Sequence, residues 1–430
     1  MSAQRIRVGV LGHGTVGSAF VDLVRRQAGT IAARSGVQLE IARVAVRNVA
    51  NHKDSAVADL LTTDADFVVN DPTIDVIVEV MGGVDDARRL ILQAISNGKP
   101  VITANKALLA THGVELFTAA DASGIDLLFE AAVCGGIPLI RPLRESLRGE
   151  PITRVLGIVN GTTNYILTKM AEESMTYGDA LAGAQKLGYA EADPTADVEG
   201  HDAAAKLSII ASIAFGQNVV ASDVYGEGIT AITPADIAIA NRLGYAVKLL
   251  AIAEIDSSGS VLVRVHPAMV PHHHPLASVR DSFNAVVVDG AASGSLMFYG
   301  RGAGGAPTAS SVLGDVIDAS VNLNKGAHAS LGVLAKSNLR AMSSLRGEYL
   351  LPLEVTDRPG VLHAVTGIFA RHDVSIRAAE QDGIGNGARL VFLTHEASEA
   401  AVQECIAELR RLDVVMRVGG LLRVIGDGLF

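Results

Sequence analysis

Short apolar runs alternate with helical stripes over roughly the first 135–150 residues of the chain. Ile6–Leu11 is apolar, the turn GHGTVG follows it, and Ser18–Arg34 carries helical spacing. Leu39–Val46, Val76–Val80, Val101–Thr103 and Leu127–Glu130 read as further strands. Helical stretches such as Asp86–Asn97 and Ala107–Ala122 separate them. Strand–helix alternation with glycine at the joints predicts an α/β fold, a Rossmann-like doubly wound parallel sheet over residues 1–150.

From about Pro151 the pattern changes. Strands at Arg154–Val159, Ala246–Ile255 and Val261–Met269 are interleaved with Ala-rich helices at Asp202–Phe215 and Pro234–Arg242. This predicts a central α/β or α+β domain with a mixed sheet over 151–320. A helix at Ala309–Asn322 is expected to return to the first domain with the segment 309–345. After Ser343-Ser344 the order becomes β-α-β-β-α-β: Glu348–Val355, a turn and helix, Val374–Ala379, Arg389–His395, Ala397–Leu412 and Val414–Val424. That is a ferredoxin-like pattern for residues 349–430.

Composition narrows the picture. A chain of 430 residues exceeds one compact core, so two or three domains are expected. Half of it is hydrophobic, yet it has no Trp and only 4% aromatics, so its cores rest on Ala, Val, Ile and Leu. The net charge of −10 is spread along the chain. No basic stripe points to a nucleic-acid partner. Two distant cysteines give no disulfide framework or CxxC metal signal. No apolar run suits a membrane span, and MSAQRIRVGVLG lacks the apolar core of a signal peptide. The expectation is a soluble cytoplasmic protein.

Gly12-His13-Gly14-Thr15-Val16-Gly17 follows a strand and opens a helix, the context that the dinucleotide fingerprint requires. The first glycine permits the tight turn, the second lets backbone approach a pyrophosphate, and the third lets helix and strand pack closely. His13 reads as a tolerated residue whose backbone matters. The second strand ends Ala45-Val46-Arg47, with Lys53 nearby and no acid to hold ribose hydroxyls. A guanidinium suits a 2′-phosphate, so NADP is favoured over NAD, with a solvated surface arginine as the alternative.

Two further segments carry candidate chemistry. Ile102-Thr103-Ala104-Asn105-Lys106 lies at the C-terminal end of a strand, where open α/β sheets place ligands. GYAEADPTADVEGHDAAAKL brings Glu191 and Asp197 into a loop ahead of Asp202 and Lys206, four apart on one helix face. Such a pair is ordinarily a surface ion pair. Here the helix is apolar almost all round, so Lys206 is expected to be partly buried, which would lower its pKa towards proton-transfer range.

Taken with these, FEAAVCGGIP, GIVNGTTNYI and NAV…GRGAGGAPTASSVLGD make the chain resemble the homoserine dehydrogenase family over residues 5–345. The resemblance implies NAD(P)-linked interconversion of L-homoserine and L-aspartate 4-semialdehyde. It implies Lys206 as acid/base and Lys106 beside nicotinamide and substrate. It further implies that Glu191 binds the substrate ammonium and Asp202 orients substrate. Gly161, Thr162, Tyr189 and Asp197 are implied as further substrate contacts. Gly12, Gly14, Thr15, Val16, Gly17, Thr103 and Gly302 are implied as cofactor contacts. In Glu130-Ala-Ala-Val133-Cys134-Gly135-Gly136-Ile137, the Glu130 carboxylate and carbonyls of Val133, Gly135 and Ile137 resemble a sodium site. Cys134 needs no nucleophilic role in hydride transfer. His272-His273-His274 looks like a metal tract but reads as a loop between prolines.

Residues 349–428 resemble an ACT domain, whose ligands sit at the strand–helix turn, here Asp357–Leu362 opposite Val374–Ile376. That resemblance implies an L-threonine effector, with a dimerisation module that has lost ligand binding as the alternative. Small-residue-rich strands in the second domain suggest a homodimer, which the modules could extend to a tetramer. Two other classes stay open on sequence: an amino-acid sensor with a vestigial enzyme, and a dehydrogenase of another small aldehyde or hydroxy acid. Glu191 discriminates against the latter, because only an ammonium-bearing substrate needs it.

Overall fold

The computed structural model describes residues 4–52, 54–384 and 387–426. The chain divides into two compact units, Met1–Ile152 with Ala205–Asp223 and Phe298–Ser337, and Thr153–Ala204 with Val224–Met297 and Asn338–Phe430.

The first unit is built on β1 (Gln4–Leu11), β2 (Val37–Ala45), β3 (Leu61–Thr62), β4 (Val76–Glu79), β5 (Val101–Thr103) and β6 (Leu127–Leu128). All pair in parallel, in the order β3-β2-β1-β4-β5-β6. The order reverses beside β1, the switch point at which doubly wound sheets open a crevice. Helices α1 (Thr15–Ser35), α2 (Ala65–Asn70), α3 (Asp85–Ser96) and α4 (Lys106–Ser123) connect the strands. β4 and β5 are buried at every position, which explains their unbroken apolar runs. The helix Gly305–Lys325 joins the same core, its Ala309, Val312, Val316 and Ala319 clustering with Phe20, Val21 and Val24 of α1. Where Leu127–Glu130 reads as a strand, pairing stops after Leu128. A 3-10 turn at Glu130–Ala132 follows.

In the second unit Tyr245–Ile255 and Val261–Pro271 form an antiparallel hairpin with Ala251 opposite Val265. Asp256 closes it by accepting the amides of Ser258 and Ser260 at 2.9 and 3.0 Å, an Asx turn. Ile152–Ile158 pairs with the first arm. The strand Phe283–Gly290, not foreseen, extends the sheet beside Ile152–Ile158.

Residues 349–424 fold as expected for a ferredoxin-like module, with Tyr349–Thr356 between Gly387–Thr394 and the terminal strands, and Ile376–Ile384 beyond. The last strand, expected to be continuous, breaks into Val415–Val418 and Leu422–Val424. The second piece pairs on one side with Tyr349 and Leu350 and on the other with Ala268 and Met269. One ladder therefore runs from the module into the central sheet. No helix among the described residues is long and apolar enough to cross a membrane.

Buried Lys248 sits on Tyr245–Ile255 and donates to the Val279 carbonyl and, at 3.2 Å, to Asn164 Oδ1. Desolvation pushes its ammonium down to about 8. The folded value lies below the unfolded one of about 10.4. Stability from the neutral amine is therefore complete above the unfolded value and is lost as pH falls through about 8. Relative to Lys248→Met, the native chain should gain stability as pH rises from about 7 to about 10. Urea unfolding midpoints across that range measure it; a constant difference between the two proteins would refute the depressed value.

Candidate functional site

At the first β–α joint the three glycines differ in what surrounds them. Gly12 has φ +107°, and a Cβ there would lie 2.7 Å from the Val80 carbonyl oxygen. At Gly17 a Cβ would come within 2.2 Å of the Gly12 oxygen. Around Gly14 nothing lies within 4 Å. The outer glycines are thus required by packing, and the middle one leaves backbone open to a ligand. No side chain caps α1 at Gly14, so the first amides of the helix, at Thr15 and Val16, face outward to an anion. Gly305 brings its own helix close to the same turn, with Thr15 O 2.9 Å from a Cβ placed there.

A cavity of about 350 Å³ adjoins this loop, lined by Gly12, Gly14, Val46, Arg47 and Asn51 among others, and no acid contributes to the lining. Arg47 is exposed. Lys53 lies outside the described residues. His13 is buried, its Nε2 2.9 Å from Ser55 Oγ, and its ring meets His52 edge to face at 5.3 Å. Burial holds its imidazole below the ordinary range, with His52 adding to the effect.

A second cavity of about 420 Å³ is lined by Glu79, Asn105, Lys106, Cys134, Lys206 and Gly302, with Val16 from the nucleotide loop also on its wall. Lys106 and Lys206, a hundred positions apart, share it. Both are half-buried, as the apolar helix led one to expect for Lys206. Lys106 is the first residue of α4, and its position is set by a relay. Glu79 is fully buried at the end of β4 and accepts from Thr103 Oγ1 at 2.6 Å and the amides of Met81 and Gly82 at 2.9 and 3.3 Å. Thr103 Oγ1 in turn accepts the Asn105 amide at 3.0 Å. Asn105 caps α4 by accepting Leu108 N–H at 3.2 Å, and its Nδ2 donates to Gly83 O at 2.6 Å. Desolvation raises the Glu79 carboxyl, against the opposing hydrogen bonds. Sequence alone assigned no role to Asn105 within its segment and passed over Glu79, although a carboxylate ending a buried strand is a signal.

Glu130 is buried and accepts the amides of Leu139, Ile140 and Arg141 at 2.6, 2.8 and 2.8 Å. Three amides satisfy part of a carboxylate's roughly four lone-pair sites, so capacity for one cation remains. Cys134 and Gly135 take consecutive positive φ values of 55° and 50°, which folds the 133–137 backbone into a tight turn. Gly135 O also accepts from Ser311 Oγ at 2.7 Å, and Gly302 O lies 2.5 Å from a Cβ built on Gly135. Below it Asp315 accepts the Glu130 amide at 2.8 Å, and burial pushes its carboxyl up to about 7.

The second unit gathers another polar group. Asn160 Nδ2 donates to Asp197 at 2.7 Å and Asp202 at 2.9 Å, and its Oδ1 caps the helix Gly161–Glu172 at Thr163 N. Thr162 Oγ1 donates to the Tyr189 carbonyl at 2.7 Å. Asp197, Asp202, Gly161, Thr162 and Tyr189 are thereby brought together, with Asn160, missed by sequence, at their centre. Glu191 is exposed on the loop after Tyr189, tied by its carbonyl to Gln185 Nε2 at 3.1 Å. His272 and His273 are exposed, whereas His274 is buried and accepts Leu276 N–H at 3.1 Å. Among the described residues no group of three or more His, Cys, Asp or Glu is placed to hold a metal.

Three family models match the chain: "Homoserine dehydrogenase, NAD binding domain" over residues 12–130, "Homoserine dehydrogenase" over 138–317, and "ACT domain" over 349–414. The homoserine dehydrogenase of Mycobacterium tuberculosis is 48% identical over 435 residues, covering 99% of this chain and 98% of its own. That of Corynebacterium glutamicum is 44% identical, with 98% and 96% covered. The crystal structure of the Thiobacillus denitrificans enzyme superposes with a TM-score of 0.93 at 42% identity, covering 98% of both chains. A hyperthermophilic archaeal homoserine dehydrogenase in complex with NADPH superposes with a TM-score of 0.62 at 29% identity, covering 74% of this chain and 98% of its own.

The glycine geometry separates folding from binding. Gly14→Ala should unfold within about 1 kcal/mol of the native chain while dinucleotide affinity falls. Gly17→Ala should lose about 2 kcal/mol or more through overpacking against backbone. Thermal unfolding beside fluorescence titration with NADPH checks both; equal stability losses would contradict the assignment.

Proposed function

Because the chain belongs to the homoserine dehydrogenase family of oxidoreductases, we propose that it interconverts L-homoserine and L-aspartate 4-semialdehyde, with Lys206 giving and taking the proton. The observation that carries this reading is the cavity shared by Lys106, Lys206 and Gly302 beside the nucleotide loop. A bound nicotinamide coenzyme supplies or accepts the hydride. The chain's residues handle the rest. As the aldehyde is reduced its oxygen gains negative charge, which an ammonium at Lys206 stabilises and then protonates. Lys106, fixed by the Glu79–Thr103–Asn105 relay, adds a second positive charge and assists the transfer. Glu191 binds the substrate ammonium. Asp202 and Asp197, both oriented by Asn160, position the substrate with Gly161, Thr162 and Tyr189. Oxidation of homoserine runs the same steps backwards, with Lys206 as base.

The coenzyme is NADP in this reading. The cavity lining offers no acid for a ribose diol and offers Arg47 for a 2′-phosphate, and the archaeal relative was solved with NADPH. Gly12, Gly14, Thr15, Val16 and Gly17 hold the pyrophosphate, with Thr103 and Gly302 further along the coenzyme. The turn at Glu130, Val133, Gly135 and Ile137 would hold a structural sodium ion, bracing the backbone around Gly302. The ACT module binds L-threonine at Asp357–Leu362 as a feedback inhibitor, in a cytoplasmic homodimer or tetramer serving threonine, methionine and isoleucine biosynthesis.

Steady-state assays with homoserine, both coenzymes, and threonine present or absent test the scheme. Lys206→Ala should lower kcat by about 10²–10⁴ with NADPH binding retained, whereas unchanged turnover would remove Lys206 from the chemistry. Arg47→Glu should shift the ratio of kcat/KM values towards NAD; an unaltered ratio excludes Arg47 from coenzyme choice.

A further inference from the structure

Beneath the ladder that joins the ACT module to the central sheet lies a cavity of about 140 Å³ that the reaction does not use. Its lining includes Arg154, Glu254, Arg264, His266, Tyr349 and Arg423. Strand register explains why these side chains converge. Arg154 pairs with Glu254, Ile252 with Arg264, Ala268 with Arg423, and Arg423 with Tyr349. Positions two apart on a strand share a face, so Arg154, Glu254, Arg264, His266, Arg423 and Tyr349 all project from one side of the sheet, across four neighbouring strands and onto the module's first strand.

Most of the charge is already matched. Arg154 Nε donates to Asp289 at 2.8 Å, Arg264 Nη1 to Glu254 at 2.7 Å, and Arg423 binds both Glu227 and Glu399. Four buried atoms of its lining residues are left without a partner among the described residues: Arg154 Nη2, Arg264 Nε, His266 Nε2 and the Tyr349 hydroxyl. A buried polar atom left unsatisfied is costly, so such atoms mark places where a ligand or water belongs.

Their chemistry is specific. The two guanidinium nitrogens can only donate. His266 is 1% exposed and its Nδ1 lies 2.9 Å from the Pro267 carbonyl, so Nδ1 carries the hydrogen and Nε2 can only accept. Burial and the guanidiniums of Arg423 and Arg264 keep the ring neutral. The cavity therefore offers donors for an anionic oxygen and, beside them, an acceptor for an N–H or O–H, in a space suited to a handful of heavy atoms. We propose that this cavity is a second amino-acid site, taking the carboxylate of a small α-amino acid on Arg154 and Arg264 and its ammonium or hydroxyl group on His266. The turn Asp357–Leu362, to which the feedback reading assigns threonine, is not part of its lining. A molecule bound here touches both the terminal strand and the sheet behind it, so occupancy couples the module to the enzyme.

Isothermal titration of the full chain with glycine, L-alanine, L-serine and L-threonine, and with acetate as a carboxylate lacking the ammonium, tests the site. At least one amino acid should bind, more tightly than acetate. Its Kd should rise about tenfold or more in His266→Leu and in Arg154→Met, and stay unchanged in Asp357→Ala. Absence of binding, binding that survives both cavity substitutions, loss confined to Asp357→Ala, or acetate binding as tightly would each overturn the proposal. Should the cavity variants not fold, hydrogen exchange on the native chain decides: added amino acid should protect Val261–Pro271 and Leu422–Val424, and unprotected strands there would overturn it. Homoserine oxidation on the same preparations keeps failure of the enzymatic reading separate from failure of this one.

Discussion

A carboxylate removed from water must be met by donors, and in the first unit that requirement shapes the loops around the lysine cavity. Glu79 draws in the amides of Met81 and Gly82 and the hydroxyl of Thr103. Glu130 does the same for three successive amides at Leu139, Ile140 and Arg141. Neither charge is paired with a cation through these contacts; Glu130 is solvated by backbone amides, and Glu79 by two amides and a buried hydroxyl. Such solvation stabilises a buried charge without mobile side chains. The backbone around it is held in one arrangement, and Lys106 begins a helix whose cap is itself part of that arrangement.

The second unit uses a neutral hub for a comparable purpose. Asn160 offers two N–H groups to Asp197 and Asp202 while its oxygen starts a helix. An amide can serve acids and a helix terminus at once because donors and acceptor sit on opposite corners of one planar group. Asp202 stands in the first turn of the helix His201–Phe215, and Lys206 follows four positions later on it.

How much of this was legible in the sequence follows from periodicity. The strands β1, β2, β4, β5 and β6 and the hairpin Tyr245–Ile255 with Val261–Pro271 are mostly apolar runs bounded by turn residues and were found to within two residues, whereas the two-residue β3 was not foreseen. The helix Gly161–Glu172 escaped because Thr162–Thr168 is buried at every position, leaving no polar face for a 3.6-residue period to mark. The terminal strand seemed continuous, yet it breaks at Gly419-Gly420. There Pro352 approaches so closely that a Cβ on Gly419 would lie 2.6 Å from its ring. Motifs located the two lysines and the nucleotide loop. Asn160 and Glu79 acquire their roles through partners distant in sequence, which composition and spacing do not encode.

The strand Leu422–Val424 has a consequence that reaches past catalysis. It occupies one flank of Val261–Pro271, a strand buried along its whole length, and Ile425 adds a further bond to the Met269 carbonyl at 3.1 Å. Without that cover, the edge at Ala268 and Met269 would lose its partner, and an unpaired edge is the kind of surface that recruits other strands into aggregates. Leu422–Val424 thus shields part of that flank as well as completing the joint between module and sheet.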